Sequence, residues 1–152
     1  TGNNGLLTGA VTLASTELVS LGSSAVALGA TTFSNSTTGQ GIWGESYVTF
    51  GTSVSAPAAG ANLAGWFLTS PDGGTTFEST GGFNPGPPRA PDFLIPVSTI
   101  AIAAGTVFKN AGLVRIPSLK FKIAVQNNLG VTFSSSATAN PTMVLAPIAM
   151  QY

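Results

Sequence analysis

The sequence has no histidine, no cysteine and little charge: five basic and five acidic residues in 152. Without cysteine there can be neither a disulfide framework nor a thiolate metal site, so stability has to come from packing. Without histidine, Ser-His-Asp and Cys-His arrangements, imidazole zinc sites and the commonest general base near neutral pH all drop out. A pair of carboxylates about 5 to 10 Å apart would still suffice for glycoside hydrolysis. The acids are Glu17, Glu45, Asp72, Glu78 and Asp92. Glu45, beside Trp43 and Tyr47, is the best placed of them, because aromatic rings often line sugar sites. The stronger reading of Glu45 is an exposed strand residue beside core aromatics. Asp72 and Asp92 each neighbour a proline and read as turn formers. A Ser/Lys nucleophile pair has Lys109, Lys120 and Lys122 to draw on but no local signature, and no enzyme is expected.

Charged residues make up 7% of the chain, against about 25% in a typical soluble domain. Only Lys120 and Lys122 lie close together, with Lys109 and Arg115 nearby. That is a solvated face, not the dense basic patch that nucleic acid selects for. No apolar run approaches the roughly 20 residues of a membrane span. Thr1 to Gly5 lacks the basic region of a signal peptide, and no leader is expected there. Asp72 and Glu78 flank a glycine turn, yet calcium needs several carboxylates within one loop. No glycine loop ends in the phosphate-binding Gly-Lys-Ser/Thr pattern. Neither metal nor cofactor is expected. Solvation falls instead to hydroxyls and amides, with 35 Ser and Thr residues. Such a surface loses little desolvation energy when another protein covers it, because few ions must be stripped of water. Composition therefore favours protein–protein contact, with a surface merely rich in hydroxyls as the plainer alternative.

What the sequence does contain is strand signal punctuated by 19 glycines and 10 prolines. Leu7, Val11, Ala14, Leu18, Leu21, Ala25 and Leu28 fall on a heptad spacing that fits a helix. Gly9, Gly22 and an outer face of Ser and Thr argue against it. The same stretch also reads as strands 10–14, 17–21 and 25–28, which are favoured. Ile42–Phe50 is a strand, and so is Leu63–Thr69, whose Leu63 and Phe67 oppose Trp66 and Leu68. Apolar residues on both faces predict cover on both sides. Pro71-Asp72-Gly73-Gly74 is a tight turn, and Thr75–Glu78 reads as the returning strand. Short strands follow within 97–103 and 107–116. Leu119–Gln126 alternates, with Leu119, Phe121, Ile123 and Val125 inward and Lys120, Lys122, Ala124 and Gln126 outward. Asn127–Gly130 turns the chain into strand 131–134. A last strand runs 142–150, with Pro147 marking a bulge or an edge. Eight or more short strands with such turns predict one all-β domain over 1–152, an antiparallel β-sandwich or barrel.

Gly81–Pro96 stands apart, with five prolines in sixteen positions. Prolines cannot donate to a ladder, so an extended, stiff arm over a surface is expected. Phe83, Phe93, Leu94 and Ile95 are too apolar to leave in water. They are buried either on a partner or on the chain's own core. Phe83, Pro87, Pro88, Arg89 and Phe93 are the candidate partner contacts, with Arg89 able to grip a carboxylate bidentately.

Three segments resemble a known family: Trp66–Glu78 (WFLTSPDGGTTFE), Pro87–Pro96 (PPRAPDFLIP) and Phe121–Asn128 (FKIAVQNN). Together they resemble small virion structural proteins of tailed bacteriophages, of the head decoration or cement type. The likeness spans 66–128, and the part up to Gly65 adds nothing to it. It implies a jelly-roll-like sandwich on the outer surface of the capsid that clamps neighbouring major capsid subunits. It also implies a homo-oligomer, a dimer or trimer at local symmetry axes. The competing expectation is a receptor- or carbohydrate-binding sandwich of a phage tail or fibre, with Trp43, Tyr47 and Trp66 as a sugar-stacking platform.

Overall fold

The computed structural model describes residues 11–13, 15–34, 43–50, 57–78, 89–97, 106–109, 113–133 and 142–147. Among these the chain is mostly antiparallel β. Its strands are β1 (Val11–Leu13), β2 (Val26–Leu28), β3 (Trp43–Phe50), β4 (Asn62–Thr69), β5 (Phe93–Pro96), β6 (Thr106–Lys109), β7 (Val114–Arg115), β8 (Phe121–Asn128) and β9 (Thr142–Pro147). One sheet has the order β1-β9-β3-β6, with β7 also paired to β3, and a second has the order β2-β8-β4-β5.

The second sheet buries side chains from each of its four strands. β4 and β8 pair along their full length, from Asn62 opposite Asn128 to Thr69 opposite Phe121. Phe121, Ile123 and Val125 turn to the core, as the alternation of β8 predicts. Phe33, Phe121, Phe67 and Phe93 form a chain of rings with centroids 5.6, 5.3 and 5.3 Å apart. Met143 and Leu145 of β9 and Val114 of β7 join the same cluster, so both sheets contribute to one core. Phe93 lies across Gly65, where an added Cβ would stand 2.0 Å from a ring carbon. Glycine is needed there for close approach, not for an unusual φ.

The predicted two-sided cover of β4 is present. Ala64, Trp66, Leu68 and Ala124 form a second buried cluster on the opposite face from Leu63 and Phe67. Ala124, expected to face outward into solvent, is therefore buried. Leu119, expected to point inward, lies before β8 begins and is exposed.

Several other expectations need correction. Residues 17–21 are not a strand: Ser15–Leu18 form a single helical turn, α1. It buries Leu18, and Ser20 takes a left-handed φ of 55° just after it. Thr75–Glu78 does not return as a strand, because Asp72 captures the amides of Thr75 and Thr76 and holds a bend. Val131–Phe133 is not a strand either. The buried Asn127 side chain ties this stretch down, donating to Val131 O and Leu21 O and accepting from Leu129 N. Of segment 97–103 only Val97 is described, and it is not in a strand. Pro147 ends β9 opposite Gly44 of β3, beyond the reach of β1, which pairs only as far as Leu145. It needs no bulge.

Candidate contact site

The arm expected over 81–96 divides in two. Residues 79–88, with Phe83, Pro87 and Pro88, lie outside the described residues. The remainder returns to the sheet, where Phe93–Pro96 is strand β5 at the edge, paired with Asn62–Gly65. Proline is tolerated there because an edge strand has one side free of ladder bonds. Phe93 and Ile95 turn inward and are buried, while Leu94 points away and is half exposed. Phe93 is thus a core residue, and its reading as a partner contact is corrected. Phe93, Leu94 and Ile95 are all strongly apolar, so the sequence carried no period that would have separated the buried positions from the exposed one.

Arg89 is placed by its neighbours within the chain. Its Nη1 donates to Asp92 Oδ1 at 2.7 Å and its Nε to Glu78 Oε1 at 3.3 Å. Its Nη2 donates to the backbone oxygen of Phe67 at 3.0 Å. The indole N–H of Trp66 donates to Arg89 O at 3.0 Å, fixing the backbone of this corner to the second apolar cluster. The carboxylates serve the sheet as well: Asp92 Oδ2 accepts from Phe67 N at 2.7 Å, and Glu78 Oε2 from Thr69 N at 3.0 Å. Arg89 therefore spends its guanidinium inside its own chain. Glu78 and Arg89 bracket the proline-rich residues 79–88, so their ion pair ties the two ends of that segment together.

The electrostatics follow this geometry. The hydrogen bond to Asp92 leads in raising Arg89 above its ordinary value, with Glu78 adding to it. Burial pushes Glu78 up, but the Thr69 amide and the Arg89 guanidinium outweigh it, leaving the carboxyl below its usual range. Asp72 is held far below the carboxylate range, first by the Thr76 hydroxyl, then by the Thr76 amide and the Ser70 hydroxyl. Glu17 accepts a hydrogen bond from Ala30 N. The carboxylates of Asp72 and Glu78 are spent on separate sets of partners. No group of three or more metal-ligating side chains occurs among the described residues.

The other candidates are scattered. Glu45 lies within β3, opposite Ala146 of β9, and Trp43 pairs with Arg115 of β7. Trp66 is in the other sheet and fully buried, so it has no face to offer a sugar, and the three-ring platform is corrected. Lys122 sits with its ammonium 5.0 Å from the centre of the Phe77 ring. Sequence reading missed the convergence of Glu78, Arg89 and Asp92. Only the side-chain geometry reveals that one guanidinium bridges two carboxylates at a sheet edge. Among the described residues the exposed large apolar side chains are Leu28, Leu94, Leu113 and Leu119. Compared with known proteins, the chain matches no family model, no curated protein and no solved structure.

Proposed function

We propose that this chain is a virion structural protein of the decoration or cement type, an antiparallel β-sandwich of jelly-roll form. In this reading it binds major capsid subunits on the outer surface of a phage head as a homo-oligomer. The observation that carries the reading is where the charge goes. Arg89, Glu78, Asp92, Asp72 and Glu17 all bond within the chain. What remains for contact is a surface of hydroxyls, amides and exposed leucines in which charges such as Arg115 and Lys120 are few, so a partner can cover much of it at low desolvation cost. The resemblance of 66–78, 87–96 and 121–128 to phage decoration proteins supports the same conclusion. Phe83, Pro87 and Pro88 are the proposed partner contacts, on a segment whose two ends the Arg89–Glu78 pair holds together. A sugar-binding tail or fibre domain is less well supported, since Trp66 is buried.

Quantitation of purified heads tests the reading: the protein should be present at a fixed ratio to the main shell protein. A few copies per particle, or recovery with tails alone, would refute it. Two substitutions separate contact from architecture. Phe83→Ala should lower retention on heads without changing the melting of the isolated protein, whereas Arg89→Ala should lower melting.

A further inference from the structure

The turn that follows β4 sets an aspartate directly before a glycine. Asp72 and Gly73 are both exposed, and a Cβ added at Gly73, whose φ is +74°, would meet nothing within 4 Å. The Gly73 amide has no acceptor among the described residues. The Asp72 carboxylate is in the opposite condition. Its Oδ1 accepts from Ser70 Oγ at 2.8 Å, Thr75 N at 3.1 Å and Thr76 N at 2.8 Å, and its Oδ2 accepts from Thr76 Oγ1 at 2.6 Å. Ser70 is buried, takes the Gly74 amide on its hydroxyl at 2.7 Å and donates its own amide to Lys120 O, so the grip is anchored to the sheet. An unengaged backbone nitrogen therefore stands next in the chain to a carboxyl group held by four donors.

We propose that Asp72–Gly73 is a modification site, a point of spontaneous backbone isomerisation that the four donors to the Asp72 carboxylate keep closed in the folded chain. In the reaction Gly73 N attacks Asp72 Cγ. The new C–N bond forms as the C–OH bond of the carboxyl breaks, and the hydroxyl leaves with the Gly73 proton as water. The product is a five-membered succinimide. Water then adds to one of its two carbonyls and opens the ring, at Cγ restoring aspartate and at the Asp72 backbone carbonyl giving isoaspartate. One water leaves and one enters, with no oxidant or reductant. Glycine favours the attack because no side chain keeps its nitrogen from a close approach. The attack also needs the carboxyl protonated and free to swing onto Gly73 N. Hydrogen bonds to the charged form oppose the first, and the swing has to break them. Isoaspartate would lengthen the main chain by one methylene group and remove the acceptor from Thr75 and Thr76. The same turn returns Glu78 to Thr69, where Glu78 N donates to Thr69 O at 3.1 Å, so modification would loosen the Glu78–Arg89 corner. This inference stands apart from the capsid reading and survives its failure.

The test follows isoaspartate at position 72 by mass-spectrometric peptide mapping during prolonged incubation at neutral pH. The folded parent should accumulate it at least about tenfold more slowly than the same chain unfolded in urea, because the reaction tracks the opened fraction. Thr76→Val and Ser70→Ala each remove one hydroxyl donor and should speed the folded reaction about fivefold, with β circular dichroism unchanged. Val114→Ala weakens the core from the other sheet without touching the turn, and should stay within about twofold of the parent's rate. A folded parent that isomerises as fast as the unfolded chain would overturn the proposal. So would folded Thr76→Val and Ser70→Ala at the parent's rate. Equal acceleration by Val114→Ala would also sink it, since the protection would then lie in global stability. Should one turn variant fail to fold, the other decides together with the parent.

Discussion

Replacing Gly65 with alanine should place a methyl group where the Phe93 ring now sits. The added Cβ would lie 2.0, 2.2 and 2.5 Å from three ring carbons, whereas ordinary contact begins at 3.4 Å. The ring would have to retreat by about 1.4 Å, the difference between 3.4 and 2.0 Å. It has little room to do so, since Phe93 is buried and its centroid is 5.3 Å from that of Phe67. Interiors at crystal-like density give way reluctantly. Overpacking of this kind costs about 1–3 kcal/mol, and complete expulsion of the ring would approach the roughly 3–5 kcal/mol of a phenylalanine truncation. We therefore expect a loss of about 2–4 kcal/mol in denaturant melts. A double-mutant cycle isolates the cause. In a Phe93→Ala background the same Gly65→Ala change should cost far less, with a coupling of about 1–3 kcal/mol. Gly65→Ala within about 0.5 kcal/mol of the parent, or strict additivity in the cycle, would refute the reasoning.

Two further outcomes follow from the same structure. Phe121→Ala should destabilise by about 3–5 kcal/mol, while Lys122→Ala should cost no more than about 0.5 kcal/mol, the size of an exposed cation–π contact; equal losses would mean the faces of β8 are misassigned. Because Glu78 and Asp72 are both lowered in the folded state, the stability they confer is present above the ordinary carboxylate range of about 4 and is lost as pH falls through their folded values. Thermal midpoints should be flat from about pH 8 to 5, there being no histidine to titrate, and should fall below about pH 4. Glu78→Gln with Asp72→Asn should flatten that acid limb, and a midpoint insensitive to acid in the parent would contradict the hydrogen-bond assignments.

How much of this was legible in the sequence depended on the range of the forces involved. The inward side of β8 could be read from Phe121, Ile123 and Val125 because a half-buried strand writes its period directly into composition. Leu63–Thr69 likewise announced its double cover through apolar residues on both faces. Ala124 was misread because an alanine opposite Trp66 is buried by its neighbours, not by its own hydrophobicity. The bend at Thr75–Glu78 was missed because one carboxylate, that of Asp72, outbid a hairpin for two amides. At the candidate site, Phe93, Leu94 and Ile95 are comparably apolar, so nothing local separates the buried Phe93 and Ile95 from the exposed Leu94. No local rule joins Arg89 to Phe67 O, 22 positions earlier.

The position of β8 between β2 and β4 also sets a timetable. The Gln126 side chain donates to Ser24 O, 102 positions earlier, and Asn127 reaches Leu21 O across 106. At about 5–20 residues per second, a ribosome needs roughly 5–20 s to deliver the strand that joins these ends. β4 and β5 can meet before then. β2 cannot join them, because the strand that belongs between is still missing. Closing such long loops early is entropically unrewarded, so folding waits on the arrival of β8 and then proceeds at the slow pace of non-local β topologies. A chain stalled before Phe121 would therefore hold a β4–β5 pair with one edge unmatched and a β2 segment with no strand to join, rather than a smaller folded domain.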